Sequence, residues 1–521
     1  MINAINNFRL SAFHFVFIGL CGSLFMFAIT ALGAGVSSDS ITYLEAAQSF
    51  LNGDGFWVNG APLVHFPPIF PLMLSWVSYL TQGDLLLSAR ILSAVSFGAN
   101  LALILVAIGK CTKNNVAAII CGTLLFVFSA PIIPIHSMTW SEAPFLSLTL
   151  AGFLFLARFF VRPQLRYLVA AALILGLAAA TRYVGLVLLP TIAIAMFTHN
   201  RGSLKKKWKD ALVILLLAGL PLGIWLIRNL MIAESATNRS FFIHLVDLNH
   251  VKNLIRVMHD FIVPLPLPLL AKAVIVSLLS LLFIRAFLFV QKKSFIKKEA
   301  LSFESILPSL LVLYSTCYIL LLLVSISFFD ADTLVNFRLL LPVYIAILIV
   351  ATTTAKKLSD SRQKNWIWRG YIAFTFIVAC VNIVPAANRA IDIHKNGKGF
   401  ISHDWQNSDL LSLIAQLPAS AKLYINWRPK VLRFLIDNKS ALSIPQEKMA
   451  ITHQRNIQFA DQANQMVREC KDGSAYIVLF DNGNPSRYGN KRDLDVLLNG
   501  FPASRRKDGW IYGRQPMKGS N

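Results

Sequence analysis

Long apolar runs separated by short polar segments occupy the chain up to about residue 386. A helix needs about 20 mostly apolar residues to cross the hydrocarbon core of a bilayer. The pattern therefore predicts a mainly α, polytopic membrane protein with about eleven transmembrane helices, near residues 12–33, 85–109, 115–133, 143–160, 166–180, 183–198, 211–230, 266–290, 305–328, 337–355 and 367–386. The fifth and sixth runs are short and separated only by Ala180-Thr181-Arg182, so two helices and one kinked helix both fit this stretch.

From about residue 387 onward, short apolar segments alternate with polar residues. Residues 421–425 and 475–480 have the length and composition of strands, and residues 409–414 have the pattern of a helix. The sequence thus predicts a membrane domain over 1–386, whose first external loop covers 34–84. A small C-terminal α/β domain is predicted over 387–521.

Composition supports a membrane protein and excludes a soluble multidomain enzyme. Hydrophobic residues make up 55% of the chain and charged residues 14%, whereas soluble domains carry roughly 25% charged residues. The formal net charge is +23, but the basic residues lie in short loops between apolar runs. This distribution argues against a nucleic-acid partner and for a lipid bilayer.

The basic loops also predict the orientation. Cytoplasmic loops of membrane proteins are enriched in Lys and Arg. With the N-terminus in the cytoplasm, all five predicted inner loops are basic, at 110–113, 158–166, 201–209, 292–298 and 356–369. The first predicted outer loop has no Lys or Arg. The N-terminal run is too long for a signal-peptide core. We therefore predict a multi-pass protein of a bacterial inner membrane with a periplasmic C-terminal domain.

The first outer loop is the richest candidate for chemistry. Residues from Ser38 onward form an amphipathic pattern that predicts a helix with Ser38 or Asp39 as its cap. A second helix is predicted after Pro67-Pro68, because proline is favoured at a helix start. An acidic residue beside two interfacial helices is either a simple N-cap or part of a site at the membrane surface.

Short motifs along the chain, taken in order, resemble the GT-C glycosyltransferases. The resemblance is to the branch that contains the protein O-mannosyltransferases and the lipid A aminoarabinose transferase. The matching residues are Asp39, Tyr43, Ala46-Ala47, Gly53-x-Gly55, Pro67-Pro68-Ile69-Phe70-Pro71-Leu72, Trp140-Ser141-Glu142-Ala143-Pro144, Thr181-Arg182-Tyr183-Val184-Gly185, Trp225-Leu226-Ile227-Arg228-Asn229 and Arg338-Leu339-Leu340-Leu341-Pro342.

The resemblance implies an inverting transfer from a polyprenyl-phosphate-linked sugar to a lipid, glycan or protein acceptor, on the extracytoplasmic face. It implies that Asp39 is the general base, since a carboxylate can deprotonate the attacking hydroxyl. Glu142 is the second catalytic candidate, and Tyr43, His65 and Trp57 are candidates for substrate contact. The resemblance also allows a divalent metal held by Glu142 and His65.

Three arginines fall at predicted external ends of spans, against the usual distribution of positive charge. Guanidinium groups bind phosphate bidentately. Arg182, Arg228 and Arg338 are therefore predicted to bind the donor phosphate, the alternative being arginines that reach the lipid head groups.

Two other function classes remain open from the sequence. A transporter or flippase of a lipid-linked saccharide is the main alternative, although such proteins usually show internal repeats and charges near mid-span. A ligase that uses pyrophosphate-linked oligosaccharides is the third.

Overall fold

A computed structural model of the protein describes residues 11–296, 302–329, 333–362, 365–418, 420–436, 441–447, 455–481, 494–495 and 501–513. Lys297, Lys298 and Lys364 of the predicted basic loops lie outside these residues. The chain forms two compact units. The first contains residues 1–34, 43–329 and 333–395, and the second contains residues 35–42, 330–332 and 396–521.

The first unit is built from long apolar helices. Eight helices among the described residues are long and apolar enough to cross a membrane: Ala12–Ile29, Leu85–Cys111, Glu142–Val161, Leu204–Ala233, Leu269–Ile296, Phe303–Phe328, Phe337–Arg362 and Asn365–Asn396. Shorter apolar segments form Val116–Val127, Leu165–Ala179 and Leu188–His199. Every predicted span thus corresponds to a helix, and the protein is a multi-pass membrane protein.

The stretch over 166–198 contains two helices. Leu165–Ala179 ends where the sequence indicated a break, and a 3₁₀ turn, Tyr183–Val187, leads into Leu188–His199. Arg182 between them has an extended backbone. The turn is tight: a Cβ on Gly185 would lie 2.6 Å from the Cα of Ala179. The short connection between the two helices is therefore closely packed.

Close helix packing in this unit depends on small residues. A Cβ on Gly98 would lie 2.1 Å from the carbonyl oxygen of Gly19, and one on Gly19 would lie 3.0 Å from the Cβ of Ala102. Small residues let membrane helices approach closely without a hydrophobic driving force between them. The backbone of the first span therefore packs directly against the helix Leu85–Cys111.

The first outer loop contains the helices Ser38–Leu51 and Ile69–Leu80, joined through the short antiparallel strands β1 (Trp57–Val58) and β2 (Ala61–Pro62). Two shorter helices of the first unit, Ile132–His136 and Leu248–Ile262, connect longer ones. Both loop helices confirm the sequence prediction, including the start after Pro67-Pro68.

The second unit contains a five-stranded mixed sheet with the strand order β4-β3-β5-β7-β6. Its strands are β3 (Lys422–Ile425), β4 (Ala441–Ser443), β5 (Ala475–Phe480), β6 (Ala503–Arg506) and β7 (Gly509–Tyr512). Its helices are His403–Gln406, Asp409–Gln416, Pro429–Leu435 and Phe459–Asp472. Strands β3 and β5 are parallel neighbours and carry buried side chains, as expected for a sheet covered on both faces. The predicted strands and helix are confirmed.

Residues 35–42 belong to this second unit. Val36 forms a parallel bridge with Gly399, with Val36 N donating to the carbonyl of Lys398 at 3.3 Å and Phe400 N donating to the carbonyl of Val36 at 2.8 Å. Gly399 has φ +65°, and a Cβ there would lie 2.0 Å from the Val36 carbonyl oxygen. Only glycine fits such a left-handed position in close contact with another strand.

The cap of the helix Ser38–Leu51 differs from the one predicted. Ser37 N donates to Ser40 Oγ at 2.9 Å, and Ser40 N donates to Ser37 Oγ at 3.4 Å. This reciprocal arrangement is a capping box, so Ser37 is the cap and the prediction of Ser38 or Asp39 was wrong. Because two serines satisfy the helix start, capping does not require Asp39, the second residue of the helix.

Candidate active site

A buried cluster of charged side chains lies in the first unit where three chain segments meet. Glu142 is the first residue of Glu142–Val161 and is 2% exposed. Its Oε1 atom lies 2.7 Å from Arg182 Nη1 and 2.7 Å from Arg338 Nε. The Arg338 guanidinium also lies 3.8 Å from the centre of the Trp140 ring, in a cation–π contact. Two of the three predicted phosphate-binding arginines therefore converge on one carboxylate.

Ser141 and Tyr43 extend this cluster. Arg182 Nη1 donates to Ser141 Oγ at 3.0 Å, and the Tyr43 hydroxyl lies 3.2 Å from the same atom. The Tyr43 ring is buried between Phe66 and Phe70, at centroid distances of 4.6 and 4.8 Å.

Two arginine side chains share one carboxylate in this cluster. Two guanidinium groups face one carboxylate, and Glu142 Oε2 is buried without a hydrogen-bond partner in the described part of the chain. Burial alone would lower the pKa of Arg182, but the Glu142 carboxylate raises it above its ordinary value. Arg182 therefore stays charged, and two guanidinium groups placed this close together suit an anionic ligand.

His136 lies behind the cluster as a neutral imidazole. Asn100 Nδ2 lies 3.1 Å from its Nε2, and Ser147 donates to Asn100 Oδ1, so the amide donates to the ring. The Nδ1 atom then donates to the Ile132 carbonyl at 2.9 Å. Burial lowers the pKa of His136 to about 4. Both ring nitrogens are used, which leaves neither for a metal.

The described residues contain no group of three or more His, Cys, Asp or Glu side chains placed to hold a metal. Glu142 faces two guanidinium groups, which repel a cation. His65 is exposed and lies edge-on to the Phe66 ring, with centroids 4.7 Å apart. These residues do not fit a divalent metal at Glu142.

Arg228 belongs to a different polar group, which we call the loop-anchor network: Tyr183, Trp225, Arg228 and Asn229. Arg228 Nη1 donates to the Leu63 carbonyl at 2.8 Å, and its Nη2 donates to the Phe56 carbonyl at 3.4 Å. The predicted convergence of three arginines thus holds for two of them, because the guanidinium of Arg228 is engaged by carbonyl groups of the first outer loop.

The Tyr183 hydroxyl is the centre of the loop-anchor network. It accepts from Trp225 Nε1 at 3.1 Å and from Asn229 Nδ2 at 3.2 Å, and it donates to the Val64 carbonyl at 2.6 Å. Asn229 is fully buried. The network ties the strand pair β1–β2 to the helix Leu204–Ala233.

Asp39 is half-buried in the first turn of its helix, within the second unit. The Trp57 side chain is 42% exposed on β1. Sequence reasoning did not assign roles to Ser141, Tyr183 or Asn229. All three lie inside the quoted motifs, next to the charged residues that drew attention, so the signal was present in the flanking positions.

Comparisons with known proteins agree with the predicted resemblance. Residues 65–225 match the model of the dolichyl-phosphate-mannose-protein mannosyltransferase family. No curated protein sequence matches the chain.

Solved structures match it over most of its length. ArnT from Cupriavidus metallidurans bound to undecaprenyl phosphate superposes with a TM-score of 0.58 at 13% identity, over 96% of this chain and 97% of that one. The apo form of the same protein superposes with a TM-score of 0.56 at 13% identity, over 94% of this chain and 95% of that one. The oligosaccharyltransferase of Archaeoglobus fulgidus, in complex with Zn and sulfate, superposes with a TM-score of 0.51 at 11% identity. The match covers 89% of this chain and 68% of that one.

The chain therefore has the fold of the GT-C membrane glycosyltransferases. Within that class, its likeness extends over nearly the full length of ArnT and covers both the membrane helices and the C-terminal region.

Proposed function

We propose that the protein is an inverting glycosyltransferase that moves a sugar from a polyprenyl-phosphate carrier to a hydroxyl group of an envelope lipid, glycan or protein. The observation that carries the proposal is the buried convergence of Arg182 and Arg338 on Glu142. A polyprenyl phosphate is the leaving group of such a transfer. Cationic side chains are required to stabilise the negative charge on this phosphate. The similarity to a protein crystallised with undecaprenyl phosphate supports this donor class.

The reaction exchanges one bond at the anomeric carbon for another. Asp39 accepts the proton of the acceptor hydroxyl as its oxygen attacks that carbon from the face opposite the carrier. The bond between the anomeric carbon and the phosphate oxygen breaks, and its electron pair leaves with the polyprenyl phosphate. The attack from the opposite face inverts the configuration of the sugar.

Arg182 and Arg338 stabilise the charge that develops on the departing phosphate. Preorganised donors in a site shielded from water contribute more than the same donors in water. In this role Glu142 holds the two guanidinium groups in place, and Tyr43 fixes Arg182 through Ser141. Trp57 and His65 are proposed to contact the sugar or the acceptor. Arg228 holds the outer loop.

The proposed setting is a bacterial inner membrane, with the N-terminus in the cytoplasm and the transfer on the periplasmic side. The five basic inner loops support this orientation. An accessible-cysteine label placed in the C-terminal domain would react from the periplasm if the orientation is right.

The test uses the purified full-length protein in detergent, with a polyprenyl-phosphate sugar as donor and release of polyprenyl phosphate as the readout. Asp39→Asn is expected to abolish transfer and to leave the thermal stability close to that of the wild type. Asp54→Asn is the matched control, since Asp54 is exposed in the same loop, and it should transfer normally. Normal transfer by Asp39→Asn would remove the base assignment.

The same assay separates the other function classes. Movement of the lipid-linked sugar across proteoliposomes without release of polyprenyl phosphate would favour a transporter. Turnover of pyrophosphate-linked oligosaccharides alone would favour a ligase.

A further inference from the structure

The turn after strand β3 reaches the segment that carries Asp39. This turn, Asn426-Trp427-Arg428-Pro429, leads into the helix Pro429–Leu435, and Lys430 is the second residue of that helix. Lys430 Nζ donates to Thr42 Oγ1 at 2.6 Å. Both residues belong to the second unit, so the C-terminal domain contacts the first turns of the helix Ser38–Leu51 through a charged side chain.

The contact continues toward Asp39 through a second hydrogen bond. Thr42 is 7% exposed, and its hydroxyl donates to the Ser38 carbonyl at 3.4 Å. That carbonyl belongs to the peptide bond between Ser38 and Asp39. Lys430, Thr42 and Ser38 therefore form a chain of donors and acceptors that ends on the backbone next to Asp39.

The turn that precedes Lys430 is held in place by hydrogen bonds to a neighbouring strand. Asn426 Nδ2 donates to the Phe480 carbonyl at 2.9 Å, and Phe480 N donates to Asn426 Oδ1 at 2.9 Å. These two bonds fix the turn to the end of β5. The helix that follows buries Val431 and Leu432. Lys430 thus extends from a scaffold held at both sides, which is the requirement for a side chain that positions another group.

The stability of the helices does not explain Lys430, whose charge lies near the N-terminal end of the helix Ser38–Leu51 and which is itself in the first turn of Pro429–Leu435. The N-terminus of a helix carries partial positive charge, and a cation there is unfavourable. The capping box of Ser37 and Ser40 already satisfies the helix start. The ammonium group of Lys430 is suited instead to holding the first turn of Ser38–Leu51, which contains the Asp39 carboxylate.

We infer that Lys430 is a positioning residue, which fixes the first turn of the helix Ser38–Leu51 through Thr42 and so orients Asp39 for proton transfer. The inference rests on the proposed function, and it gives the C-terminal domain a role in the reaction. Small misplacements of a catalytic group have large effects on rate.

The activity test compares Lys430→Met and Thr42→Val with their conservative partners. Each is expected to lower kcat about ten-fold with little change in the KM for the polyprenyl-phosphate sugar. Lys430→Arg and Thr42→Ser keep a donor and a hydroxyl, and both should restore most of the rate. The double variant Lys430→Met with Thr42→Val should lose about ten-fold rather than about a hundred-fold, because both changes break one chain.

Lys422→Met is the matched control. Lys422 lies in β3 of the same domain and pairs with Glu469 at 2.6 Å, so its loss perturbs the domain without touching residues 35–42. It should transfer at the wild-type rate. Wild-type kcat in Lys430→Met, an equal loss in Lys422→Met, or fully multiplicative losses in the double variant would each overturn the inference.

Hydrogen–deuterium exchange of the full-length protein gives a readout that needs no substrate. The peptide covering residues 37–43 should exchange faster in Lys430→Met and in Thr42→Val than in the wild type or in Lys422→Met. Unchanged exchange would overturn the inference even if transfer is observed. A wild-type protein that releases no polyprenyl phosphate would count against the proposed function, while the exchange result would still decide whether Lys430 holds the turn.

Discussion

Two polar groups of the membrane unit use neighbouring residues for different purposes. Arg182 joins Glu142 and Arg338 in a cluster of three charged groups, in which Glu142 Oε2 has no hydrogen-bond partner among the described residues. Tyr183, the next residue, is the centre of the loop-anchor network, where its hydroxyl makes hydrogen bonds to uncharged groups. A buried polar group that is fully satisfied stabilises one structure. Two guanidinium groups held close together suit an anionic ligand.

The largest expected effect comes from removing a guanidinium group from the charged cluster. Arg338→Met and Arg182→Met should each lower transfer by about a hundred-fold or more, since loss of one donor to a developing anion costs roughly 3–4 kcal/mol in the transition state. Arg228→Met should lower transfer less than ten-fold, because Arg228 contacts loop carbonyls. The rate of polyprenyl phosphate release measures these losses. Equal losses in all three variants would contradict separate roles for the charged cluster and the loop-anchor network.

The next effect concerns pH and the neutral His136 behind the charged cluster. Its ordinary pKa is 6.5, and burial lowers it to about 4 in the folded protein. Between these values the unfolded state binds a proton that the folded state does not, so stability falls as pH decreases from about 6.5 to about 4. The full difference corresponds to about 3 kcal/mol.

Thermal unfolding in detergent at pH 7.5 and pH 5 checks this dependence. His136→Gln should have a smaller drop in Tm on acidification than the wild type. His65→Gln is the control variant, a histidine replaced at an exposed position away from His136. A drop that is unchanged in His136→Gln would assign the pH dependence to another group.

A smaller effect is expected in the loop-anchor network. Tyr183→Phe leaves Trp225 Nε1 and the Val64 carbonyl without their partner, and unsatisfied buried groups cost roughly 1–3 kcal/mol. The variant should have a lower Tm and faster proteolysis of residues 56–64, with transfer per folded molecule changed only a few-fold. A loss of transfer as large as that of Arg338→Met would place this network in the chemistry.

The smallest effect concerns the aromatic face under Arg338. Trp140→Leu removes a cation–π contact worth about 1 kcal/mol, so donor KM should rise about five-fold. Trp140→Phe should recover part of that loss. An unchanged KM would mean that the Trp140 ring does not set the position of Arg338.

The fold was predictable to a large extent because membrane helices leave a strong signal. All eleven predicted spans are helices, since each needs a long apolar run whatever its neighbours are. The helix break near Ala180 was located, but the sequence did not decide between a kink and two helices. The close contact at Gly185 that settles the matter is set by packing, which no local pattern records.

The charged cluster was predictable in part. Arg182, Arg338 and Glu142 were singled out because charges at span ends need an explanation. Their convergence on one oxygen, and the separate use of Arg228, depend on side-chain directions at helix ends. The cap at Ser37 was missed because several polar residues in a row each fit the pattern.

The bridge between Val36 and Gly399 has a consequence for how the protein is made. Residues 35–42 leave the ribosome early, whereas Gly399 and Lys430 are synthesised more than 350 residues later. Contacts between such distant parts of a chain form slowly. The segment that carries Asp39 therefore forms these contacts only after Gly399 and Lys430 have been synthesised.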